Sequence, residues 1–321
     1  MDIFRKLEAA AKRKKKTIIL PESYDPRVIE AAKVILKKKL AKLILIDTGR
    51  NIRLPESDDL DIIDIEFSVQ FAKEYKRLRS KKIKGFTLAD AEKALNDPLL
   101  FACMLLKNKY ADAVVAGSVY STGNVLRSAM QTVGLSKGNK TVSSFFLMSF
   151  PKAHKMAGRV FAYGDCGVLP NPDAEQLSDI AIQTSLNFKK LTGIKPRTAF
   201  LSFSTKGSAK DASTEKVIRA MHITRRRMPG LICDGEMQFD SAFVPAIARR
   251  KDPNGKIKGD ANVFIFPDLN AGNIAYKITE RIGGAVATGP IVQGLALPVM
   301  DLSRGCNTND IVNMSIIASL Y

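Results

Sequence analysis

Short runs of β-branched and apolar residues alternate with amphipathic stretches along most of the chain, a pattern typical of parallel strands joined by crossover helices. In the first part of the chain, the apolar runs predict strands at residues 17–20, 42–46, 60–65 and 113–116. The amphipathic stretches predict helices at residues 26–39, 69–80, 89–109 (broken near Asp97-Pro98) and 121–134. We expect Asp25 to cap the first of these helices, because Pro26 follows it at the first helical position.

A turn-rich segment at residues 134–140 precedes a second alternating series. This series predicts strands at residues 142–150, 159–163, 198–202, 230–233, 262–266 and 284–288, the last ending at Gly289-Pro290. It predicts helices from about residue 170 to 191 and at residues 213–228, 239–250 and 272–281. The closing residues are strand-like and then helical, so we expect a final helix to begin near residues 307–310.

These elements predict an α/β protein with two domains, each a mostly parallel sheet flanked by helices. We expect the closing segment to return to the first domain, which gives limits of 1–140 plus 292–321 for one domain and 141–291 for the other. Ligands of open parallel sheets bind at the carboxyl ends of the strands. The predicted strand ends carry glycines, hydroxyls and carboxylates that we expect to face a ligand, among them Pro21-Glu22-Ser23, Gly117-Ser118, residues 204–208, Asp234-Gly235-Glu236 and residues 301–304.

Composition and charge restrict the classes of function. Hydrophobic residues make up 45% of the 321 positions and charged residues 26%, as in soluble globular proteins, and no apolar stretch approaches the roughly 20 residues of a membrane span. The N-terminal segment lacks the apolar core of a signal peptide, so we expect a cytoplasmic protein without a membrane partner. The net charge of +18 suits either a nucleic acid or a polyanionic small molecule. Because the lysines lie in solvated runs without interleaved aromatic residues, we expect no specific nucleic-acid partner.

Cysteine and histidine usage argues against several chemistries. The four cysteines are widely spaced and only two histidines are present, so neither a structural zinc site nor a Ser-His triad is expected. Residues 204–208 (STKGS) do not match a Walker A loop, and no G-x-G-x-x-G sequence opens the first helix, which disfavours a nicotinamide enzyme.

The closing segment brings three chemically useful side chains within eight positions. The hydroxyl of Ser303 can donate to or accept from a reacting oxygen, and the guanidinium of Arg304 can hold an oxyanion through two hydrogen bonds. The carboxylate of Asp310 can accept a proton. On spacing alone, a polar turn followed by a helix start is the simpler interpretation.

The amino-acid sequences of several stretches favour a more specific interpretation. Residues 289–306 (GPIVQGLALPVMDLSRGC) and residues 266–281 (FPDLNAGNIAYKITER) closely resemble the phosphate acetyltransferase (phosphotransacetylase) family, and weaker similarities extend over nearly the whole chain. The resemblance implies reversible acetyl transfer between CoA and phosphate, with CoA or acetyl-CoA as substrate. It implies that no cofactor is permanently bound and that no metal is required. It also implies two α/β domains of isocitrate/isopropylmalate dehydrogenase-like architecture, an active site in the interdomain cleft, and commonly a homodimer.

Carried over by this resemblance, Ser303 and Asp310 match the catalytic pair of the family, and Arg304 matches its phosphate-site arginine. Arg281 and Arg127 match further arginines for the acyl phosphate. Arg79, together with Arg127, matches the arginines associated with CoA.

The mechanism that we expect is direct attack of the CoA thiolate in a ternary complex. An acyl-cysteine route through Cys306 is disfavoured, because no histidine lies nearby in the sequence to activate the thiol. Three alternatives stay open at this stage: a phosphate butyryltransferase-type acyltransferase, a non-catalytic acyl-CoA-binding relative, and a basic nucleic-acid-binding protein.

Overall fold

The computed structural model describes residues 3–49, 52 and 54–321 and shows a mixed α/β chain. The chain divides into two compact units. The terminal unit contains Phe4–Lys137 and Leu295–Tyr321, and the middle unit contains Gly138–Gly294. The predicted domain limits themselves stay a prediction.

The strands in chain order are β1 (Thr17–Leu20), β2 (Lys42–Asp47), β3 (Leu60–Asp64), β4 (Ala113–Ala116), β5 (Ser143–Ser149), β6 (Val160–Gly164), β7 (Arg197–Leu201), β8 (Ile232–Met237), β9 (Val263–Ile265), β10 (Val286–Gln293) and β11 (Val299–Asp301). The helices are α1 (Ile3–Lys14), α2 (Pro26–Lys37), α3 (Ala72–Ser80), α4 (Leu88–Leu95), α5 (Pro98–Lys107), α6 (Thr122–Thr132), α7 (Ala174–Thr192), α8 (Ala212–Arg227), α9 (Phe239–Phe243), α10 (Pro245–Lys251), α11 (Leu269–Arg281) and α12 (Thr308–Ala318). A short 3₁₀ helix, Ile65–Phe71, precedes α3.

The sheet of the terminal unit has the order β11-β4-β1-β2-β3, and every neighbouring pair is parallel. Helix α5 is apolar almost throughout, and its residues 99–106 are buried against this sheet together with Ile19, Ile44 and Val114. A helix that is hydrophobic on all sides belongs in a core rather than at a surface. The unit therefore has a core of its own, and β11 and α12 complete it from the end of the chain.

The sheet of the middle unit has the order β10-β5-β6-β9-β7-β8. The pairs from β6 to β8 are parallel, whereas β10, β5 and β6 pair antiparallel. Aromatic side chains fill one face, with Tyr163 and Phe264 meeting edge to face at a centroid distance of 5.6 Å and Phe161 nearby. The prediction of two mostly parallel sheets flanked by helices is confirmed.

The predicted helix caps and breaks follow from local sequence. The side chain of Asp25 accepts a hydrogen bond from the Arg27 amide (2.9 Å) at the start of α2, as predicted. The predicted break between α4 and α5 is confirmed: Asp97 caps α5, and Pro98 occupies its first turn. Proline lacks the amide that a continuous helix would require there.

Three predicted elements differ from the structure. The strand expected at residues 230–233 is β8, which begins at Ile232 and continues to Met237. The helix expected at residues 239–250 is interrupted, because Pro245 ends the pattern of α9 and starts α10. The strand expected to end at Gly289-Pro290 instead continues to Gln293 as β10, with an irregular register between Thr288 and Ile291. Strand β10 lies at the edge of its sheet, where a proline without an amide donor is tolerated.

Candidate functional site

Three parallel strands of the terminal unit end side by side. Strand β4 lies between β11 and β1, and the Leu302 amide donates to the Ala116 carbonyl (2.8 Å) just past the last paired residues. Loops leaving neighbouring parallel strands emerge at the same edge of the sheet. The residues that follow β1, β4 and β11 therefore share this edge.

Ser303 and Arg304 lie in a tight turn directly after β11. The Cys306 amide donates to the Ser303 carbonyl (2.8 Å), and the Gly305 amide donates to Ser303 Oγ (3.2 Å). The backbone of the turn is thus fixed, while both side chains are exposed. Because Oγ accepts this hydrogen bond, its own proton can still be donated to a substrate oxygen.

Asp310 lies in the first turn of α12, six residues after Arg304 in the chain. Asn307 caps this helix by accepting from the Asp310 amide (3.1 Å), and Asp310 Oδ2 accepts in return from the Asn307 amide (2.9 Å). This reciprocal capping box fixes where the helix begins. Asp310 is nevertheless exposed, so its carboxylate is accessible to a ligand. The predicted helix start is confirmed, and the loop–helix junction brings Ser303, Arg304 and Asp310 into one short segment.

Glu22 follows β1, and the prediction that it faces a ligand is wrong. It is 1% exposed, and its two oxygens accept from four consecutive backbone amides after β4. The four donors and the Ser118 hydroxyl lie at 2.7–3.0 Å, in the loop formed by residues 117–120. The carboxylate therefore holds a neighbouring loop. The position of Glu22 after Pro21 indicates a strand end, but no local sequence pattern predicts that its partners are the amides of residues 117–120.

Arg27, in the first turn of α2, is a further residue that the sequence did not single out. Its Nη1 donates to the Arg304 carbonyl (2.9 Å) and the Cys306 carbonyl (2.8 Å), and its Nη2 donates to the Ser118 carbonyl (2.7 Å). Asp25 receives its remaining donors at 2.7–3.1 Å. One guanidinium thus joins the turn containing Ser303 to the loop after β4. A planar group with five donors is suited to such multiple contacts.

Asp301 is buried at the end of β11, two residues before Ser303. Its Oδ2 accepts from the hydroxyl of Thr122 at the start of α6 (2.6 Å). Burial, with a smaller contribution from the negative charge of Glu22, raises the pKa of Asp301 to about 7, although the Thr122 hydrogen bond opposes the rise. The site therefore has a titratable carboxyl group behind its exposed turn.

The predicted arginines lie on different elements. Arg127 is exposed on α6, and Arg79 is half-buried in the last turn of α3. These two helices are joined by a hydrogen bond from Tyr75 Oη to Gln131 Oε1 (2.7 Å). Arg281 ends α11 of the middle unit, where its side chain is 81% exposed and lies 3.5 Å from Glu280. Because Arg281 belongs to the other unit, its part in the site and the location of the site in an interdomain cleft stay predictions.

Asp234 and Glu236, which were predicted to follow a strand ending at Cys233, instead lie within β8 and hold loops of the middle unit. Glu236 accepts from Ser204 Oγ (2.9 Å) and the Gly207 amide (2.7 Å), and Asp234 pairs with Lys206 (2.6 Å). Glu236 and Asp234 are buried. The expectation that these carboxylates face a ligand is wrong, since each satisfies donors within the protein.

Cys306 lies close to Ser303 in the chain but has an unreactive environment. Burial raises the pKa of its thiol to about 11, although the nearby positive charge of Arg27 opposes the rise. A thiol with this pKa is almost entirely protonated at neutral pH. The expectation that Cys306 is not activated is therefore supported by the environment of its thiol.

The described part of the chain, residues 3–49, 52 and 54–321, contains neither a cluster of metal ligands nor a helix that could cross a membrane. Within it, no group of three or more His, Cys, Asp or Glu side chains is placed to hold a metal ion. Nor does that part of the chain contain a helix with the length and apolar character needed to cross a membrane.

Comparisons with known proteins agree with the resemblance noted in the sequence. A family model described as phosphate acetyl/butaryl transferase matches residues 2–319. A phosphate acetyltransferase from Acetivibrio thermocellus is 46% identical over 325 residues, which cover 100% of this chain and 98% of that protein. Solved phosphotransacetylases from Streptococcus pyogenes (TM-score 0.91, 36% identity, 100% and 98% of the two chains) and Staphylococcus aureus (0.88, 35%, 99% and 98%) share the fold.

The two sheets flanked by helices, together with these relatives, define the class of the protein as an α/β acyltransferase. The chain belongs to the phosphate acetyl/butaryl transferase family. The resemblance drawn from residues 266–281 and 289–306 is thereby confirmed.

Proposed function

We propose that the protein transfers an acetyl group reversibly between CoA and phosphate, converting acetyl-CoA and phosphate into acetyl phosphate and CoA. The observation that carries this proposal is the junction of β11 and α12. It exposes a hydroxyl, a guanidinium and a carboxylate on one short segment whose backbone is held by Arg27. Membership of the family supports the same reaction.

In the proposed mechanism, the thiol of CoA loses its proton to Asp310 and its sulfur attacks the carbonyl carbon of acetyl phosphate. Ser303 donates to the carbonyl oxygen as negative charge develops on it. The bond between the carbonyl carbon and the bridging oxygen then breaks, and phosphate leaves with the electron pair while Arg304 holds it. Proton transfer from a thiol to an ordinary aspartate is uphill by roughly 6 kcal/mol. We therefore propose that the arginines, besides binding the anionic substrates, stabilise the thiolate of CoA.

The remaining predicted residues bind the anionic substrates. Arg127 and Arg281 contact the acyl phosphate, and Arg79 with Arg127 contacts CoA. Several guanidinium groups suit this reaction, because CoA and acetyl phosphate are both multiply charged anions that would otherwise repel each other. The net charge of +18 favours their approach. The reaction requires no metal, and we place the protein in the cytoplasm.

An assay of thioester formation tests the proposed function directly. CoA is supplied with acetyl, propionyl or butyryl phosphate, and the thioester is measured. We expect acetyl phosphate to give the highest kcat/KM. A preference for butyryl phosphate identifies a butyryltransferase-type enzyme, whereas binding of acyl-CoA without turnover identifies a non-catalytic relative. Salt-sensitive nucleic-acid binding in place of either activity contradicts the proposal.

Replacement of Cys306 by alanine tests direct transfer. Because the thiol is buried with a raised pKa, we expect Cys306→Ala to retain kcat within about threefold, a typical effect of a small packing change. Initial-rate plots for the wild type should intersect, as required for a ternary complex. Parallel lines, together with loss of activity in the alanine variant, would indicate an acyl-cysteine intermediate and overturn this mechanism.

We further propose that the protein is a homodimer that associates through the exposed face of α11. Ile274, Ile278 and Ile282 recur at four-residue intervals, and Ile282 is 84% exposed. An apolar groove of about 340 Å³ lined by Phe150, Met156, Phe239 and other side chains adjoins them. An exposed apolar stripe of this kind is typical of an interface.

The variant Ile278→Asp tests the homodimer. A buried, unpaired charge at an interface is costly, so we expect this variant to shift the mass measured by analytical ultracentrifugation from dimer to monomer. Ile62→Asp, at a comparably exposed isoleucine in the terminal unit, serves as the control and should remain dimeric. A wild-type protein that is monomeric at micromolar concentration would overturn the proposal.

A further inference from the structure

The segment from Glu22 to Arg27 contacts two neighbouring loops. At its start, the Glu22 carboxylate binds the amides of residues 117–120. At its end, the Arg27 guanidinium binds the carbonyls of Ser118, Arg304 and Cys306. One short segment therefore fixes both the loop after β4 and the turn that carries Ser303 and Arg304.

The loop after β4 also touches the end of β11 directly. A Cβ atom on Gly117 would lie 2.6 Å from Asp301 Oδ1 and 2.7 Å from the Leu302 amide nitrogen, so the two backbones are in close contact. Gly117 has a φ of +108°, a conformation that favours glycine. A shift of this loop would press on Asp301 and Leu302, the two residues immediately before Ser303.

The same loop leads into the helix that carries one of the predicted substrate arginines. Residues 117–120 run into Ser121, which caps α6, and Thr122 at the start of that helix is bonded to Asp301 (2.6 Å). The position of Arg127 along α6 is in turn supported by Val125 and Ala129, which are buried. The loop that the Glu22 carboxylate binds therefore contacts both the strand that leads into the turn with Ser303 and the start of helix α6.

We propose that Glu22 is a positioning residue for acyl transfer, and this inference rests on the proposed function. By binding four consecutive amides, it holds the loop after β4 against Asp301 and Leu302 and presents the Ser118 carbonyl to Arg27. Ser303 and Arg304 are thereby held in the geometry that the transition state requires. Glu22 itself, at 1% exposure, does not touch the substrate.

The isosteric variant Glu22→Gln tests this role. An amide group replaces one acceptor oxygen by an NH₂ donor, which would face amide or hydroxyl donors and push the loop away. Because small misplacements of reacting groups strongly reduce the rate of the chemical step, we expect kcat to fall about 100-fold. The KM values for CoA and acetyl phosphate should change by less than about threefold, since the substrate-binding side chains are retained.

Asp112→Asn provides the matched control. Asp112 accepts from the Thr17 amide (2.9 Å) and Lys16 Nζ (2.6 Å) at the opposite end of β1, far along the strand from the site. Because the side chain of Asp112 is 38% exposed, we expect this variant to lower Tm by less than Glu22→Gln does, with kcat unchanged. Equal losses of kcat in both variants, or wild-type kcat in Glu22→Gln, would show that Glu22 only stabilises the fold and would overturn the proposal.

Hydrogen exchange supplies a second measurement that does not depend on activity. In Glu22→Gln we expect faster exchange of the amides of residues 117–120 and of Cys306, with unchanged protection in β2 and β3. Unchanged exchange at residues 117–120 and 306 overturns the positioning role. If the wild type lacks acyl transfer, the proposed function fails, and the exchange pattern alone still decides whether Glu22 holds these loops.

Discussion

Replacing Asp310 by asparagine should lower kcat for acetyl transfer by about 10²- to 10⁴-fold, the usual contribution of a general base. The thiol of CoA must lose its proton before or as it attacks, and an asparagine cannot accept that proton. Substrate binding should be nearly unaffected, because the arginines that we assign to it are unchanged. The measurement is steady-state kinetics with acetyl phosphate and CoA at several pH values, in which the deficit should narrow as rising pH ionises the thiol in solution.

The capping role of Asp310 calls for a specific control. Its Oδ2 binds the Asn307 amide, and the asparagine carbonyl can still accept this hydrogen bond, so the helix start should survive. Asp90 forms the same capping box with Thr87 at the start of α4. Asp90→Asn should therefore reproduce any effect on Tm while leaving kcat unchanged. Near wild-type kcat in Asp310→Asn would remove this residue from proton transfer.

The second large effect concerns the pH dependence of stability. The pKa of Asp301 is raised to about 7 in the folded protein, against 3.8 for an ordinary aspartate, mainly by burial. Between these two values the folded state binds more protons than the unfolded state, so the free energy of unfolding contributed by this group falls as the pH rises through that window. The full contribution is present below pH 4 and is lost above pH 7. A shift of this size corresponds to at most about 4 kcal/mol.

Asp301→Asn should remove this dependence, because asparagine does not titrate. Its carbonyl can still accept a hydrogen bond from the Thr122 hydroxyl. Any other effect of the amide on the free energy of unfolding is the same at every pH. We expect the variant to gain stability relative to the wild type as the pH rises from 4 to 8. Urea denaturation of both proteins across this range measures the difference, and two parallel curves would show that Asp301 does not titrate there.

Much of the fold was predictable because it depends on local patterns. The alternation of apolar runs and amphipathic stretches predicted most of the strands and helices, and Asp25, Asp97 and Asn307 mark helix starts through their own side chains. Two of the wrong elements involve proline. Pro245 divides a helix that the amphipathic pattern predicted as continuous. Pro290 lies within a strand, which is possible only because that strand is at the edge of its sheet, and a local pattern does not show which strand is at the edge.

The exposed site residues were predicted by resemblance, whereas the groups that hold them were not. Glu22 binds residues 95–98 positions away, and Arg27 binds carbonyls up to 279 positions away. Such contacts exist only after β1, β4 and β11 have become neighbours in the sheet. The raised pKa of Asp301 likewise results from burial in the assembled unit, so its local sequence carries no sign of it.

The proline in the edge strand β10 has a consequence for how copies of this protein meet. An open sheet edge offers unpaired amides and carbonyls to which a foreign strand can add. Pro290 has no amide to offer, and the irregular register beside it interrupts the regular spacing of the others. This edge is therefore poorly suited to recruiting a strand from another molecule, which lowers the tendency of the sheet to extend into a fibre.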